Sequence, residues 1–296
     1  MASLEDWIRY GDELRRPLCV ASDLGNSSAV CVVGAGLSGL TVAYRIAAKR
    51  PDIHVEIVEK SERCGGVIET WARDGWTCDV AVNATRAHPA FWRLVDDLGL
   101  GQRFSASNPK AKTRWISTKG RRQKLSPWLV LRGGPLKVWR GLKGARQGTR
   151  SVADAMPLAS VNDAMTLGIV NDRSAHVDAD FLMPSLTRFG TEPPVKWKRV
   201  KNILNGTYSL FTPKPGSTAS FEGGMQTLID GLVQRLEVLD NVSFSMNAAS
   251  ATPEEVAEAR KLPLSSVIWC APLRRTAGEF TELNVYAVGY TEAQVS

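Results

Sequence analysis

Three glycines and a glutamate stand at the spacing of a nucleotide-binding turn. Gly34, Gly36 and Gly39 form the pattern G-x-G-x-x-G, and Glu59 follows 20 residues after the last glycine. In such a turn the first glycine permits a tight bend, the second lets backbone approach a pyrophosphate, and the third lets helix and strand pack closely. A carboxylate at this distance accepts hydrogen bonds from a ribose 2′-hydroxyl and repels a 2′-phosphate. The pattern therefore predicts a dinucleotide site and disfavours NADP.

The elements that position these residues are predicted to be a strand, a helix and a second strand. Ala29–Val33 is apolar and β-branched, which is typical of a buried parallel strand. Leu37–Lys49 has the apolar spacing of a helix, and residues 53–58 alternate as a second strand. Phosphates would lie at the helix start, where N–H groups and the helix dipole favour negative charge. The predicted cofactor-binding residues are Gly34, Ala35, Gly36, Leu37, Ser38, Gly39, Glu59, Lys60, Arg63, Gly65 and Gly66.

An arginine and a glycine pair follow the ribose-facing acid directly. Arg63, Gly65 and Gly66 are close enough in sequence to Glu59 to contact the pyrophosphate of the same cofactor. The alternative is an ordinary Gly-Gly turn with no ligand. The spacing alone leaves both interpretations open.

The composition is that of a soluble-type globular chain of one large or two ordinary domains. The chain has 296 residues, with 44% hydrophobic and 23% charged residues. We find no apolar run long enough to span a bilayer, no apolar signal peptide at the start and no good transit peptide. Residues 1–28, with an amphipathic piece at 4–14, are expected to form an N-terminal extension.

Cysteine and histidine give no indication of a metal site. The five cysteines include no C-x-x-C pair, which favours a reducing compartment and argues against a disulfide framework or a zinc site. His54, His88 and His176 are far apart in sequence, so we interpret each as a surface or packing residue.

One segment carries the entire basic excess of the chain. The net charge is +7, yet residues 110–150 contain 13 Lys and Arg and no acid, so the remainder carries about −6. Residues 126–142 mix Trp128 and Trp139 with aliphatic and basic side chains. Three interpretations compete: a membrane interface, a solvated basic face over an ordinary core, and nucleic-acid binding. No nucleic-acid module is recognisable, and the tryptophans suit a membrane surface.

The rest of the chain gives clear secondary-structure signals in some segments and weak signals in others. Residues 151–219 give weak signals: residues 152–165 could be helical, 167–176 carry loop residues, and 181–189 resemble a strand or an interrupted helix. Elsewhere periodicity predicts strands at 67–70, 76–82, 114–118, 123–125, 242–246, 264–270 and 284–290, and helices at 89–98, 225–236 and 253–261.

These patterns resemble the flavin amine oxidase superfamily. The glycine turn, Glu59 and the Arg63-x-Gly65-Gly66 step are similar to its FAD-binding signature. Residues 221–225 with Leu228 resemble its later Gly-Gly helix start, and residues 267–272 resemble its strand that ends in a small-Pro step. Within the superfamily the protoporphyrinogen oxidase family matches best, because residues 113–116, 123–126 and 168–184 resemble stretches of its inserted domain.

The resemblance implies an α/β fold with a Rossmann-like FAD-binding domain of the GR2 type and an inserted α+β substrate and membrane-association domain. It assigns residues 29–104 and 220–296 to the FAD-binding domain and 105–219 to the insert. The family is much longer than this chain and carries a further Gly-rich flavin-facing turn, which this sequence does not show. A family arginine that pairs with a substrate propionate has no counterpart in register, since Arg132 is displaced.

The implied function is the FAD-dependent oxidation of protoporphyrinogen IX to protoporphyrin IX with oxygen as acceptor. The implied partners are a tetrapyrrole substrate and a peripheral membrane surface, with no nucleic acid and with a homodimer left open. The implied location is the mitochondrial inner membrane, with the cytoplasm as the alternative. Two further interpretations remain: an inactive family member that acts as a binding or regulatory protein, and a flavin oxidase of an amine or a polyene.

Overall fold

A computed structural model of the chain describes residues 28–86, 89–107, 115–118, 120–124, 126, 134–148, 150–156, 158–183, 186–187, 218–250, 252–272 and 293. By their contacts, the described residues of 28–107 and 218–272 form one compact unit and those of 115–187 form a second. The predicted N-terminal piece at 4–14, the apolar residues 128–131 and the strand at 284–290 lie outside the described residues. The functional division into a FAD-binding domain and an insert stays a prediction.

The described residues form strands and α-helices in both units. The strands are β1 (Ala29–Val33), β2 (His54–Val58), β3 (Thr70–Arg73), β4 (Trp76–Asp79), β5 (Thr85–Arg86), β6 (Phe104–Ala106), β7 (Trp115–Thr118), β8 (Arg121–Lys124), β9 (Thr218–Phe221), β10 (Val242–Ser245) and β11 (Val267–Trp269). The α-helices are α1 (Leu37–Lys49), α2 (Pro89–Asp97), α3 (Pro135–Gln147), α4 (Val152–Ala155), α5 (Ala159–Val170), α6 (Ala179–Leu182), α7 (Gln226–Glu237) and α8 (Pro253–Arg260).

A four-stranded parallel sheet organises the first unit. Its order is β10-β2-β1-β11, so two strands from the start of the chain lie between two strands from its far end. Val33 lies opposite Val58 in β2 and Trp269 in β11, which aligns the carboxyl ends of these strands at one edge. The predicted α/β fold with a parallel Rossmann-like sheet is confirmed.

Helices cover both faces of this sheet, as the apolar character of β1 predicts. On one face Val30, Val32 and Ile57 pack with Leu40 of α1 and Leu228 of α7. On the other face Cys31, Val33 and Val58 pack with Val256 of α8. Each fully buried Leu, Ile or Val contributes about 1.5–3 kcal/mol, so burial on both faces stabilises the sheet.

A salt bridge and a small aromatic cluster complete this unit. Arg260 at the end of α8 donates to both carboxylate oxygens of Glu56 in β2, at 2.6 and 2.9 Å. The antiparallel sheet β5-β9-β6 carries Phe104 and Phe221, whose ring centroids are 4.9 Å apart. Phe91 of α2 contacts both rings. The three rings hold α2 against the antiparallel sheet β5-β9-β6, next to the point where β9 leads into α7.

The described residues of the second unit form a β7–β8 hairpin and the helices α3, α4, α5 and α6. Its core contains Ala145 of α3, Val152 and Ala155 of α4, and Val177 and Met183. The opposite face of α3 is exposed and basic. No helix within the described ranges is long and apolar enough to cross a bilayer, and the same ranges hold no cluster of three metal-ligating side chains.

Most of the predicted elements are confirmed, and several differ in extent. The strand predicted at 76–82 ends at Asp79, and the helix predicted at 152–165 consists of two helices, Val152–Ala155 and Ala159–Val170. The strand predicted at 67–70 occupies Thr70–Arg73 instead, because Thr70 pairs with Asp79 across the hairpin. The strand predicted at 264–270 is shortened to Val267–Trp269 by a preceding 3-10 turn at Leu264–Ser266. In the second unit the loop predicted from 167 is helical to Val170, and in residues 181–189 the described helix ends at Leu182.

Candidate functional site

The three glycines lie at the corner between β1 and α1, as predicted. Gly34 follows the strand with φ of +100°, a conformation that side chains rarely adopt. Gly36 is the N-cap of α1. A β-carbon on Gly39 would lie 1.8 Å from the carbonyl oxygen of Gly34, so only glycine permits this approach of helix to strand.

The predicted glycine pair lies directly against this corner. Gly36 and Gly65 form a parallel bridge, and the N–H of Gly65 donates to the carbonyl of Ala35 at 2.8 Å. A β-carbon on Gly66 would lie 3.3 Å from the α-carbon of Gly36. Bare backbone therefore faces bare backbone, which lets the loop of Gly65 and Gly66 lie close against the start of α1.

The start of α1 has the chemistry of an anion site. No side chain among the described residues caps this terminus, and its first turn contains no acid. Leu37 is half-buried and Ser38 is exposed there. The unpaired N–H groups and the helix dipole at such a terminus favour a phosphate.

Glu59 points into the site from the end of β2. Its side chain is 8% exposed. Oε2 accepts from the N–H of Ala35 at 2.7 Å, and Oε1 accepts from the N–H of Ser61 at 3.0 Å and from its hydroxyl at 2.7 Å. Burial opposes ionisation most strongly, but these hydrogen bonds outweigh it and hold the pKa of Glu59 below its ordinary value. Glu59 is therefore a carboxylate acceptor at neutral pH.

Arg63 braces the loop that carries the glycine pair. Its guanidinium donates to the carbonyl of Gly66 at 2.6 Å and to those of Cys64 and Ile68, both at 3.2 Å. It also pairs with Glu69 at 3.0 Å. The structure thus assigns Arg63 a part in shaping the turn, and its contact with a pyrophosphate stays a prediction.

The start of α7 is held by two side chains from the β3–β4 hairpin. Asp79 Oδ1 accepts from the N–H of Met225 at 2.8 Å and from the hydroxyl of Thr70 at 2.6 Å, while the N–H of Gln226 donates to that hydroxyl at 3.0 Å. A β-carbon on Gly224 would lie 2.4 Å from Thr70. Sequence analysis missed this cap, because its partners are about 150 residues apart in the chain.

A cavity of about 600 Å³ lies beside the glycine corner, between the loop at 62–70 and α7. Its lining includes four acids, namely Glu62, Glu69, Asp230 and Glu237. Arg63 is the one cation among the described lining residues, and it is paired with Glu69. Four carboxylates would repel a pyrophosphate, and the lining includes neither Glu59 nor the three glycines. The nucleotide therefore fits the glycine corner and not this cavity.

The thiols near the glycine corner are not nucleophiles. Burial raises the pKa of Cys64, with the charges of Glu59 and Glu237 adding to the effect, and burial alone raises the pKa of Cys270. Burial raises the pKa of Cys31 in β1 to about 11. A raised pKa keeps these thiols protonated at neutral pH, and a protonated thiol is a poor nucleophile.

The structure brings all the predicted cofactor-binding residues to one edge of the sheet. Ala35 is buried under Glu59, and Lys60 is exposed immediately after it. The bare-backbone cradle, the uncapped helix start and the ionised Glu59 fit the adenosine diphosphate half of a dinucleotide. Ser61 is the residue that sequence analysis missed, because the pattern gives no signal for a hydroxyl that holds the acid.

Comparison with known proteins supports this interpretation of the corner. Residues 32–98, which contain the glycine motif and Glu59, match the family of NAD(P)-binding Rossmann-like domains. Protoporphyrinogen oxidase 2 of Arabidopsis thaliana is 38% identical over 94 residues, which cover 31% of this chain and 18% of that protein. Coproporphyrinogen III oxidase of Mycobacterium tuberculosis (strain ATCC 25618 / H37Rv) is 27% identical over 217 residues, or 70% of this chain and 44% of that protein.

The chain is similar in sequence to parts of porphyrinogen oxidases. The resemblance noted in the sequence is thus confirmed, and the predicted enzyme class, oxidoreductase, is that of these relatives. A crystal structure from Exiguobacterium sp. 255-15, provisionally described as a protoporphyrinogen oxidase, has the same fold, with a TM-score of 0.55 and 19% identity. The match covers 75% of this chain and 52% of that one. The chain spans about half the length of that protein and less than half of the two relatives.

Proposed function

We propose that this chain is a FAD-dependent oxidoreductase that converts protoporphyrinogen IX to protoporphyrin IX with oxygen as electron acceptor. The observation that carries the proposal is the corner of β1 and α1, where an ionised, nearly buried Glu59 faces a cradle of bare glycine backbone. The sequence similarity to porphyrinogen oxidases supports the choice of substrate class.

The chain's own residues would bind and orient the cofactor. Glu59 would accept hydrogen bonds from the ribose, and the start of α1 would receive the pyrophosphate. Arg63 would hold the conformation of the turn at Gly65 and Gly66 through its hydrogen bond to the carbonyl of Gly66. When bound, FAD supplies the redox chemistry by accepting a hydride from the substrate. No protein nucleophile is needed, which agrees with the raised pKa of the nearby thiols.

The exposed face of α3 supports the proposed membrane surface. Leu136 is 68% exposed and Trp139 is 59% exposed, while Arg140, Lys143 and Arg146 share that side of the helix. The ammonium of Lys143 lies 5.3 Å from the centroid of the Trp139 ring. Exposed tryptophan and cations on one helix face suit the interface of an anionic bilayer. We propose peripheral attachment there, at the mitochondrial inner membrane.

The test is cofactor binding followed by turnover. Purified chain is mixed with FAD, and the flavin absorbance that remains after gel filtration is measured. Protoporphyrin fluorescence is then followed after addition of protoporphyrinogen IX in air. Glu59→Gln is expected to weaken FAD binding about tenfold or more, because a charge-assisted acceptor is lost. Glu62→Gln, which changes an exposed neighbour, should bind as the wild type.

Each outcome of this test has a meaning. Flavin binding with porphyrin formation supports the proposal, and coproporphyrinogen III and an aliphatic amine serve as competing substrates. A chain that binds FAD but turns over none of these would favour a binding or regulatory role. A chain that takes up no FAD would refute the proposal.

A further inference from the structure

The hydroxyl of Ser61 has two alternative acceptors. It lies 2.7 Å from Glu59 Oε1 and 3.0 Å from the carbonyl oxygen of Arg63. A serine hydroxyl carries one hydrogen, so it satisfies one of these acceptors fully at a time. The stronger bond is the one to the charged carboxylate.

Glu59 has little acceptor capacity left in this arrangement. A carboxylate offers about four lone-pair sites. The described donors use three of them, since the N–H of Ala35 contacts Oε2 and both the N–H and the hydroxyl of Ser61 contact Oε1. A ribose presents two adjacent hydroxyls, so the second hydroxyl needs an acceptor that Ser61 occupies.

The backbone around Ser61 is held by hydrogen bonds, so a change at its hydroxyl has to come from the side chain and not from a shift of the loop. Asn247 donates from its N–H to the carbonyl of Ser61 at 3.1 Å, and Ala248 donates to that of Glu59 at 2.9 Å. The N–H of Glu59 in turn donates to Ser245 at 3.0 Å. A modest rotation of the Ser61 side chain, which moves its hydroxyl from Glu59 Oε1 toward the carbonyl oxygen of Arg63, is the small change that this geometry permits.

We propose that Ser61 is a positioning residue with a switching hydroxyl: it holds Glu59 in the free protein and turns to the Arg63 carbonyl when a ribose binds. The switch releases a second acceptor on Oε1 for the second ribose hydroxyl. It also couples ribose binding to the loop of Gly65 and Gly66, which Arg63 braces. This inference rests on the proposed function only through the nucleotide site, and it requires no turnover.

The test compares ADP with 2′-deoxy-ADP by calorimetry at neutral pH. In the wild type the ribose 2′-hydroxyl, which 2′-deoxy-ADP lacks, gains a bond to Glu59. Ser61 must then give up its bond to the charged carboxylate of Glu59 for a bond to the neutral carbonyl of Arg63. Ser61→Ala removes that exchange, so the ratio of the two dissociation constants should rise about fivefold. Effects of the substitution on general stability or orientation act on both ligands and largely cancel in the ratio.

Conservative and matched variants make the result decisive. Ser61→Thr keeps the hydroxyl and should return the ratio to its wild-type value, and Ser61→Gly replaces the alanine variant if the latter unfolds. An unchanged ratio in the variants without the hydroxyl overturns the inference and leaves the proposed function standing. Absence of any ADP binding by the wild type has a different signature and refutes the nucleotide site itself. If the ratio of the dissociation constants for 2′-deoxy-ADP and ADP changes as expected but the chain does not oxidise a porphyrinogen, only the proposed substrate is refuted.

Discussion

Gly39→Ala tests the geometry of the strand–helix corner. The added β-carbon would lie 1.8 Å from the carbonyl oxygen of Gly34 and 3.4 Å from the β-carbon of Cys270. The oxygen belongs to buried backbone, so no side-chain rotation relieves the contact. We therefore expect α1 to move away from β1 by more than an ångström, which opens the packing of Leu40 against the sheet.

The size of the effect follows from two opposing contributions. Replacing glycine by alanine inside a helix ordinarily stabilises by about 0.5–1 kcal/mol. Overpacking a close contact costs about 1–3 kcal/mol and sometimes more. Because the clash is with backbone, the upper end applies, and the free energy of unfolding should fall by about 2–3 kcal/mol. ADP affinity should fall with it, since the phosphate cradle is displaced.

The assay is urea denaturation followed by tryptophan fluorescence, with calorimetry for ADP. Gly168→Ala is the matched control, because a β-carbon there meets nothing within 4 Å in α5. The control should gain up to about 1 kcal/mol. If Gly39→Ala proved as stable as the control and bound ADP like the wild type, the close approach of α1 to β1 would be refuted.

Three further predictions address the supports of the site and the exposed helix. Asp79→Ala removes the acceptor at the start of α7 and should lower the free energy of unfolding by about 1–2 kcal/mol in urea. Burial is the strongest single influence on Glu56 and would raise its pKa, but hydrogen bonds, chiefly from Arg260, hold that pKa below the ordinary 4.5. The ionised carboxylate therefore stabilises the fold fully above pH 4.5, and this contribution is lost as the pH falls through the folded pKa. Glu56→Gln should accordingly make the melting temperature less dependent on pH in the acid range. Trp139→Ser should weaken sedimentation with anionic vesicles several-fold, whereas Trp71→Ser, which changes an exposed tryptophan of the first unit, should not.

The part of the fold that sequence could predict is the part determined by neighbours in the chain. The glycine spacing, the apolar run of Ala29–Val33 and the periodicity of Leu37–Lys49 are local signals, and the structure has both elements with those limits. Glu59 was identifiable because its distance from Gly39 follows from one helix and one strand.

The features that sequence could not predict depend on the direction of side chains and carbonyl groups in the folded chain. The hydroxyl of Thr70 and the carboxylate of Asp79 together hold the start of α7, and no pattern near residue 70 indicates that helix. Arg63 is turned toward its own loop by carbonyl oxygens whose directions only the folded turn defines. The hydroxyl of Ser61 looks like an ordinary polar loop residue until Glu59 is seen beside it.

The order β10-β2-β1-β11 has a consequence for synthesis on the ribosome. The first two strands and α1 emerge early, but their lateral partners are translated only after most of the described chain. Until then both sides of a very apolar two-stranded ribbon lack hydrogen-bonding partners, which invites aggregation. Chains whose synthesis stops before residue 242 are therefore expected to aggregate or to be degraded. Dependence on chaperones should be greatest while residues 59–241 are being translated.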